Sequence, residues 1–157
     1  MDSQKQFRQQ ILDYLSDAHA HAPFDQAVKG LPLSAVNKKL KGMPYSFWEL
    51  LEHTRLSQND IIEFVINPKY QDKAWPEDYW PSKKPATKAM WDKSIKSFRS
   101  DLAMLIKLVK DPKTDLLAKI PHGQGQTILR EVILIIDHNA YHVGEMVVLR
   151  RMMGLWK

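Results

Sequence analysis

The stretch that decides the fold is Thr127-Ile128-Leu129-Arg130-Glu131-Val132-Ile133-Leu134-Ile135-Ile136-Asp137-His138-Asn139-Ala140-Tyr141-His142-Val143-Gly144-Glu145-Met146-Val147-Val148-Leu149-Arg150-Arg151-Met152-Met153-Gly154. It holds no proline. Thr127 suits an N-cap and Gly154 a C′ position, so the pattern predicts one helix from Thr127 to about Met153. Its longest uninterrupted apolar run, Val132 to Ile136, is about five residues against the roughly 20 of a membrane span. A helix of this length inside a domain needs other helices to cover it.

Working back along the chain, the same kind of signal recurs. Ser46-Phe47-Trp48-Glu49 has the Ser-x-x-Glu form of a capping box and opens a helix that runs to about Ile66, where Asn67-Pro68 stops it. A further helix is predicted from about Ala86 to Lys110, with Ala89, Ile95, Phe98, Leu102, Leu105 and Val109 inward and Asp111-Pro112 at its end. Phe7, Ile11, Tyr14 and Ala18 have helical spacing and predict a first helix from about Ser3 to His21. Residues 22–45 hold Pro23, Pro32, Pro44, Gly30 and Gly42, which allows only short helical turns. No strand pair or repeat is visible. The expected fold class is all-α: an antiparallel bundle of four long helices in one domain spanning residues 1–157. Spacing alone leaves the topology open.

Composition removes several function classes. The chain has 157 residues, 44% apolar and 26% charged, and no cysteine. A disulfide scaffold, a Cys-ligated metal and a thiol nucleophile are excluded. The opening Met1-Asp2-Ser3-Gln4-Lys5-Gln6-Phe7 lacks the pattern of a secretory signal, so a soluble, cytoplasmic protein without a membrane partner is expected. The formal charge of +5 reads as a solvated surface. With no recognised finger, RNA-binding or helix-turn-helix signature, nucleic acid is not an expected partner.

The six histidines carry more information. His138 and His142 are four apart, about 40° around a helix, and sit among apolar neighbours. His53 shares a helix face with Leu50, Leu56 and Phe64. Inward imidazoles need polar partners. One reading is a satisfied core pair. The other is a divalent metal on His53, His138 and His142, with three His ligands and an open position as in catalytic zinc sites. No Glu-x-x-His or His-Glu-x-x-His occurs, which disfavours a di-iron centre and a zincin.

The neighbouring residues keep two readings each. Glu145 lies on the His stripe as an orienter of His142, a further ligand or a general base. His122, in a Gly-rich loop, is either an acid or substrate contact over the site or an exposed loop side chain. Glu49 is read as the capping-box acid and Asp137 as a salt-bridge partner. His19 and His21 are read as structural, at the end of the first helix. Trp75, Tyr79 and Trp80 either wall the site or, the preferred reading, pack a long loop onto the bundle.

Together, Asp137-His138-Asn139-Ala140-Tyr141-His142-Val143-Gly144-Glu145 with Leu149-Arg150-Arg151, the segment Tyr45 to His53, the run Trp75-Pro76-Glu77-Asp78-Tyr79-Trp80-Pro81 and the loop Pro121 to Thr127 resemble the DinB/YfiT-like family. The resemblance covers nearly the whole chain. It implies an up-down-down-up four-helix bundle, a divalent metal, zinc or nickel, on His53, His138 and His142, and a homodimer. Family members with known activity include transferases and isomerases that use low-molecular-weight thiols. The chain departs from the family at Glu145, where Gln is frequent.

The function expected from these readings is a metal-dependent enzyme with one divalent ion per chain. It is a thiol-dependent transferase or a hydrolase, with Glu145 and His122 as candidate catalytic residues. A thiol cosubstrate, if anionic, would be drawn by the Lys38 to Lys41 cluster or by Lys83 and Lys84. The alternative is a non-catalytic metal-binding protein of a stress or DNA-damage response.

Overall fold

Capping chemistry and proline set the helix limits. The computed structural model describes residues 3–16 and 20–156. Its helices are α1 Ser3–Ser16, α2 Phe24–Val28, α3 Leu33–Val36, α4 Phe47–Ile66, α5 Lys88–Lys110 and α6 Ile128–Met152, with a 3-10 turn at Glu77–Tyr79. The described residues contain no strand, only an isolated bridge between Lys119 and Thr127. The all-α class is therefore as expected.

The predicted capping box forms. Ser46 Oγ accepts from the Glu49 N–H at 3.2 Å, and the Glu49 carboxylate accepts from the Ser46 N–H at 2.7 Å. This satisfies two of the donors that a helix start leaves unpaired. Thr87 and Thr127 cap α5 and α6 without the reciprocal bond, their hydroxyls accepting from Met90 N–H and Arg130 N–H. Gly154 takes φ +69° just past the end of α6, a conformation that favours glycine.

The inward face of α1 differs from expectation, and that of α5 differs only at Ala89. In α1, Phe7 and Tyr14 are exposed, whereas Ile11, Leu12 and Leu15 are buried. Arg8 fixes this rotation, since its guanidinium donates to the carbonyls of Val109 and Thr114 at 2.6 and 2.8 Å. α1 is described as far as Ser16, His21 lies in a bend, and Ala18 and His19 lie outside the described residues. In α5, the helix starts at Lys88 and Ala89 is exposed. Trp91, Ser94, Phe98, Leu105 and Val109 face inward. The large apolar surface of Trp91 sets that rotation.

By length and composition alone, α6 is long and apolar enough to cross a membrane. It packs along α4 instead. His138, Asn139 and His142 interrupt its middle with polar groups on the side that meets α4.

The apolar core has two clusters. One gathers Ile11, Leu12, Leu15, Ile62, Leu105, Val109, Leu116, Val132 and Ile135. The other gathers Phe47, Trp48, Leu50, Leu51, Trp91, Val143, Met146 and Leu149, with Val28 and Val36 from α2 and α3. Between them α4 buries a polar series, His53, Thr54, Ser57, Gln58 and Asp60. Both polar atoms of Gln58 are engaged, its amide donating to the Phe98 carbonyl at 2.9 Å and its oxygen accepting from Asn139 at 2.8 Å. This polar middle of the α4–α6 pair is where the candidate site lies.

Candidate metal centre

The three imidazoles that the sequence singled out converge. His53 comes from α4, and His138 and His142 come from one face of α6, one turn apart. Each offers a ligand nitrogen, and the three nitrogens lie within 4.8 Å of one another. Ring centroids are 5.2 Å apart for His53 and His138, 4.8 Å for His53 and His142, and 4.5 Å for His138 and His142. His53 and His142 are buried and His138 is half-buried.

Hydrogen bonds set the tautomers of two of the rings. His53 Nδ1 lies 2.7 Å from the Tyr79 carbonyl oxygen. A carbonyl only accepts, so Nδ1 carries the proton and Nε2 keeps its lone pair. His142 Nδ1 lies 2.7 Å from Glu145 Oε2, and an ionised carboxylate imposes the same tautomer. Both rings are thus oriented as metal-ligating histidines usually are, with the outer nitrogen tied to an oxygen. The Nδ1 of His138 is buried and has no partner among the described residues. Such atoms are uncommon and cost about 1–3 kcal/mol.

Burial also selects the ligand form. It pushes His138 down to about 4, with help from His142 and His53, and His142 to about 4, with help from His53. His53 is lowered as well, mainly by burial, against the Tyr79 hydrogen bond and Glu145. All three rings are therefore neutral at pH 7, the state that binds a divalent ion. Burial raises Glu145 and the nearby His53 opposes that rise. Converging neutral imidazoles, oriented outer nitrogens and one orphaned buried nitrogen fit a divalent metal.

The aromatic loop does more than pack on the helices. Trp80 stacks on His53 with ring centroids 4.0 Å apart and planes 4° from parallel, and Tyr45 stacks on the other side of Trp80 at 4.4 Å. Trp75 meets His53 edge-on at 6.4 Å. With Pro76, Asp137 and Tyr141 these residues line a cleft of about 620 Å³ over the imidazoles. Trp75 and Tyr141 are 69% and 65% exposed, the two most exposed large hydrophobic side chains among the described residues, and both border this cleft. A more enclosed, mainly apolar cavity of about 220 Å³ lies between Phe24, Phe98, Leu102 and Val143; His21 lines it, but His53, His138 and His142 do not.

The remaining candidates separate. Glu145 joins the site through His142. His122 does not: its Nε2 donates to the Phe64 carbonyl at 2.7 Å. Phe64 is eleven residues beyond His53 on α4, about 16 Å along the axis. His122 thus serves an otherwise unpaired carbonyl in the last turn of α4. Asp137 lies exposed at the cleft, and no ion pair reaches it among the described residues, contrary to the salt bridge expected. Glu49 has its capping role and also pairs with Lys39 at 3.5 Å. His21 bonds the neighbouring Ala22 carbonyl. Lys38, Lys39, Lys41, Lys83 and Lys84 do not line the cleft, so electrostatic capture of an anion there would have to act at longer range.

Sequence reasoning missed Asp60 and left Tyr79 and Trp80 to loop packing. The available signal was Asp60 itself, a carboxylate seven residues after His53 and hence on the same inward stripe two turns on.

The chain matches the family model described as DinB superfamily over residues 17–146. No curated protein and no solved structure matches it.

Proposed function

This chain belongs to the DinB superfamily, and on that premise we propose that it is a divalent-metal-dependent enzyme. On this reading residues 1–157 form one up-down-down-up bundle domain, soluble and cytoplasmic, that assembles as a homodimer. One ion per chain, zinc or nickel, is held by His53, His138 and His142. The observation that carries the reading is the mutual approach of three ligand nitrogens to within 4.8 Å.

The chemistry supplied by a bound divalent ion is Lewis-acid activation, which lowers the pKa of a coordinated group. The rest falls to the chain. Tyr79 and Glu145 keep the outer nitrogens of His53 and His142 occupied, so that the facing nitrogens remain free as ligands. Glu145, bonded to His142, also offers a carboxylate that can take up or return a proton, since burial raises its pKa. The Trp80 stack shields one wall from water. Trp75 and Tyr141 offer exposed aromatic surface to a substrate with an apolar or aromatic body. The reaction class proposed is transfer to or from a low-molecular-weight thiol, or hydrolysis.

The test is elemental analysis of protein purified without a His tag, followed by a panel of thiols and electrophilic substrates on the metal-loaded chain. About one ion per chain and turnover abolished in His53→Ala support the enzyme. Full occupancy without turnover across the panel would instead indicate a non-catalytic metal-binding protein of a stress response. Light scattering checks the dimer.

A further inference from the structure

Asp60 is 6% exposed and accepts three donors, none of which belongs to its own helix. Tyr79 Oη donates to its Oδ2 at 2.6 Å, Tyr70 Oη lies 3.2 and 3.3 Å from its two oxygens, and Lys73 Nζ lies 3.3 Å away. All three come from the loop between α4 and α5. A buried carboxylate is costly unless paired in this way. The Tyr79 bond is short, in the range of a hydroxyl bound to a charged acceptor.

Tyr79 is held at both ends. Its phenol reaches Asp60, and its backbone carbonyl receives the proton of His53 Nδ1 at 2.7 Å. His53 and Asp60 are seven residues apart, so they share a face of α4 about 10 Å apart along the axis. One loop residue therefore bridges two turns of the helix. The next residue, Trp80, carries the ring that stacks on His53.

We propose that Asp60 is a positioning residue for the metal centre: by anchoring the Tyr79 phenol it holds the Tyr79 carbonyl against His53, fixing that ring's tautomer and placing its other nitrogen in the cluster. Asp60 touches neither the imidazoles nor the cleft, and acts only through Tyr79. The inference rests on the metal-site reading for its consequence, but its core, the state of His53, exists in the metal-free protein. Tyr70 and Lys73 fasten the loop to the same carboxylate without contacting His53. Their loss is expected to loosen the loop and leave the ring in place.

The experiment uses the full chain and two readouts. Nitrogen-15 NMR of the metal-free protein reads the His53 tautomer, and titration with Co²⁺ reads affinity and ligand-field bands. Wild type is expected to show a single Nδ1–H tautomer at His53. Asp60→Asn and Tyr79→Phe are expected to mix the two tautomers, to weaken Co²⁺ about 10-fold or more and to alter the bands. Tyr70→Phe is expected to keep the tautomer and bind Co²⁺ within about 3-fold of wild type, a margin well below the effect of losing an outer partner. Tyr79→Phe removes one hydroxyl and keeps the ring, so it serves if Asp60→Asn does not fold. An unchanged His53 tautomer in folded Tyr79→Phe overturns the proposal, as does an equal effect of Tyr70→Phe. A wild type that shows the tautomer but binds no Co²⁺ would overturn the metal reading, while the tautomers of Tyr79→Phe and Tyr70→Phe would still decide the positioning of His53.

Discussion

The two loops that flank α5 invite comparison. Residues 67–87 and residues 111–127 are similar in length, and both are broken by proline. Only the first reaches the imidazoles. Its phenols are drawn to Asp60 in the middle of α4, which places Tyr79 and Trp80 on His53. The second is drawn to the C-terminal end of α4. There His122 bonds Phe64, and Gly123 packs so closely that an added Cβ would come within 2.9 Å of the Phe64 ring. Leu116 and Ile120 of that loop are buried. What separates the loops is which turn of α4 offers each one an unpaired polar group. A buried carboxylate recruits hydroxyls to the helix middle, whereas terminal carbonyls recruit an imidazole N–H to the end.

The contrast can be broken most forcefully at the centre that the first loop covers. His142→Ala should reduce metal content from about one ion per chain to near zero, measured by elemental analysis, while the helical circular dichroism persists. Retention of the ion by that variant would sink the three-His site.

The next effect is on stability. The folded pKa values of His138 and His142 are near 4, below the ordinary 6.5. The unfolded chain therefore takes up more protons between these values, and stability must fall as the pH drops through that window. The contribution of the neutral rings is fully present above about pH 6.5 and lost by about pH 4. Glu145, raised by burial, works in the opposite direction near its own range. Urea unfolding of the metal-free chain should lose on the order of a few kcal/mol from pH 7 to pH 4.5. A flat profile would place the rings in water.

Trp80→Ala tests the first loop alone. Losing the stacks on His53 and Tyr45 should cost about 2 kcal/mol in denaturant unfolding. It should also weaken Co²⁺ about 10-fold, since an oriented ligand loses its support. The smallest effect is expected in the second loop. His122→Ala should cost about 1 kcal/mol through one lost hydrogen bond, with Co²⁺ affinity unchanged. If it weakened the metal as much as Trp80→Ala did, the distinction between the loops would vanish.

Much of the site was legible before any coordinates. A four-residue spacing in one helix and an inward His53 in another singled out the three imidazoles that converge, because helical periodicity alone places such residues on a buried stripe. Glu145 followed from the same periodicity. The role of Trp80 was not legible, since an aromatic residue in a proline-rich loop carries no period that points it anywhere. Asp60 was within reach on the His53 stripe, but its partners are loop phenols from outside α4. His122, just before α6 in the sequence, was open to a role over the site or to an exposed loop position, and it sits exposed at a distant turn of α4.

The sequence by itself determined the helices, their caps and the three imidazoles, because hydrogen bonds and side-chain directions within a helix depend on residues a few positions apart. The tertiary structure alone decided the rotation of α1, the loop that walls the cleft and the partners of the outer nitrogens of His53 and His142. Those depend on where a buried charge or an unpaired carbonyl meets a donor far along the chain, as at Arg8 with Val109, Tyr79 with Asp60 and His122 with Phe64. Burial makes such pairings obligatory, but only the packed fold assigns the partners.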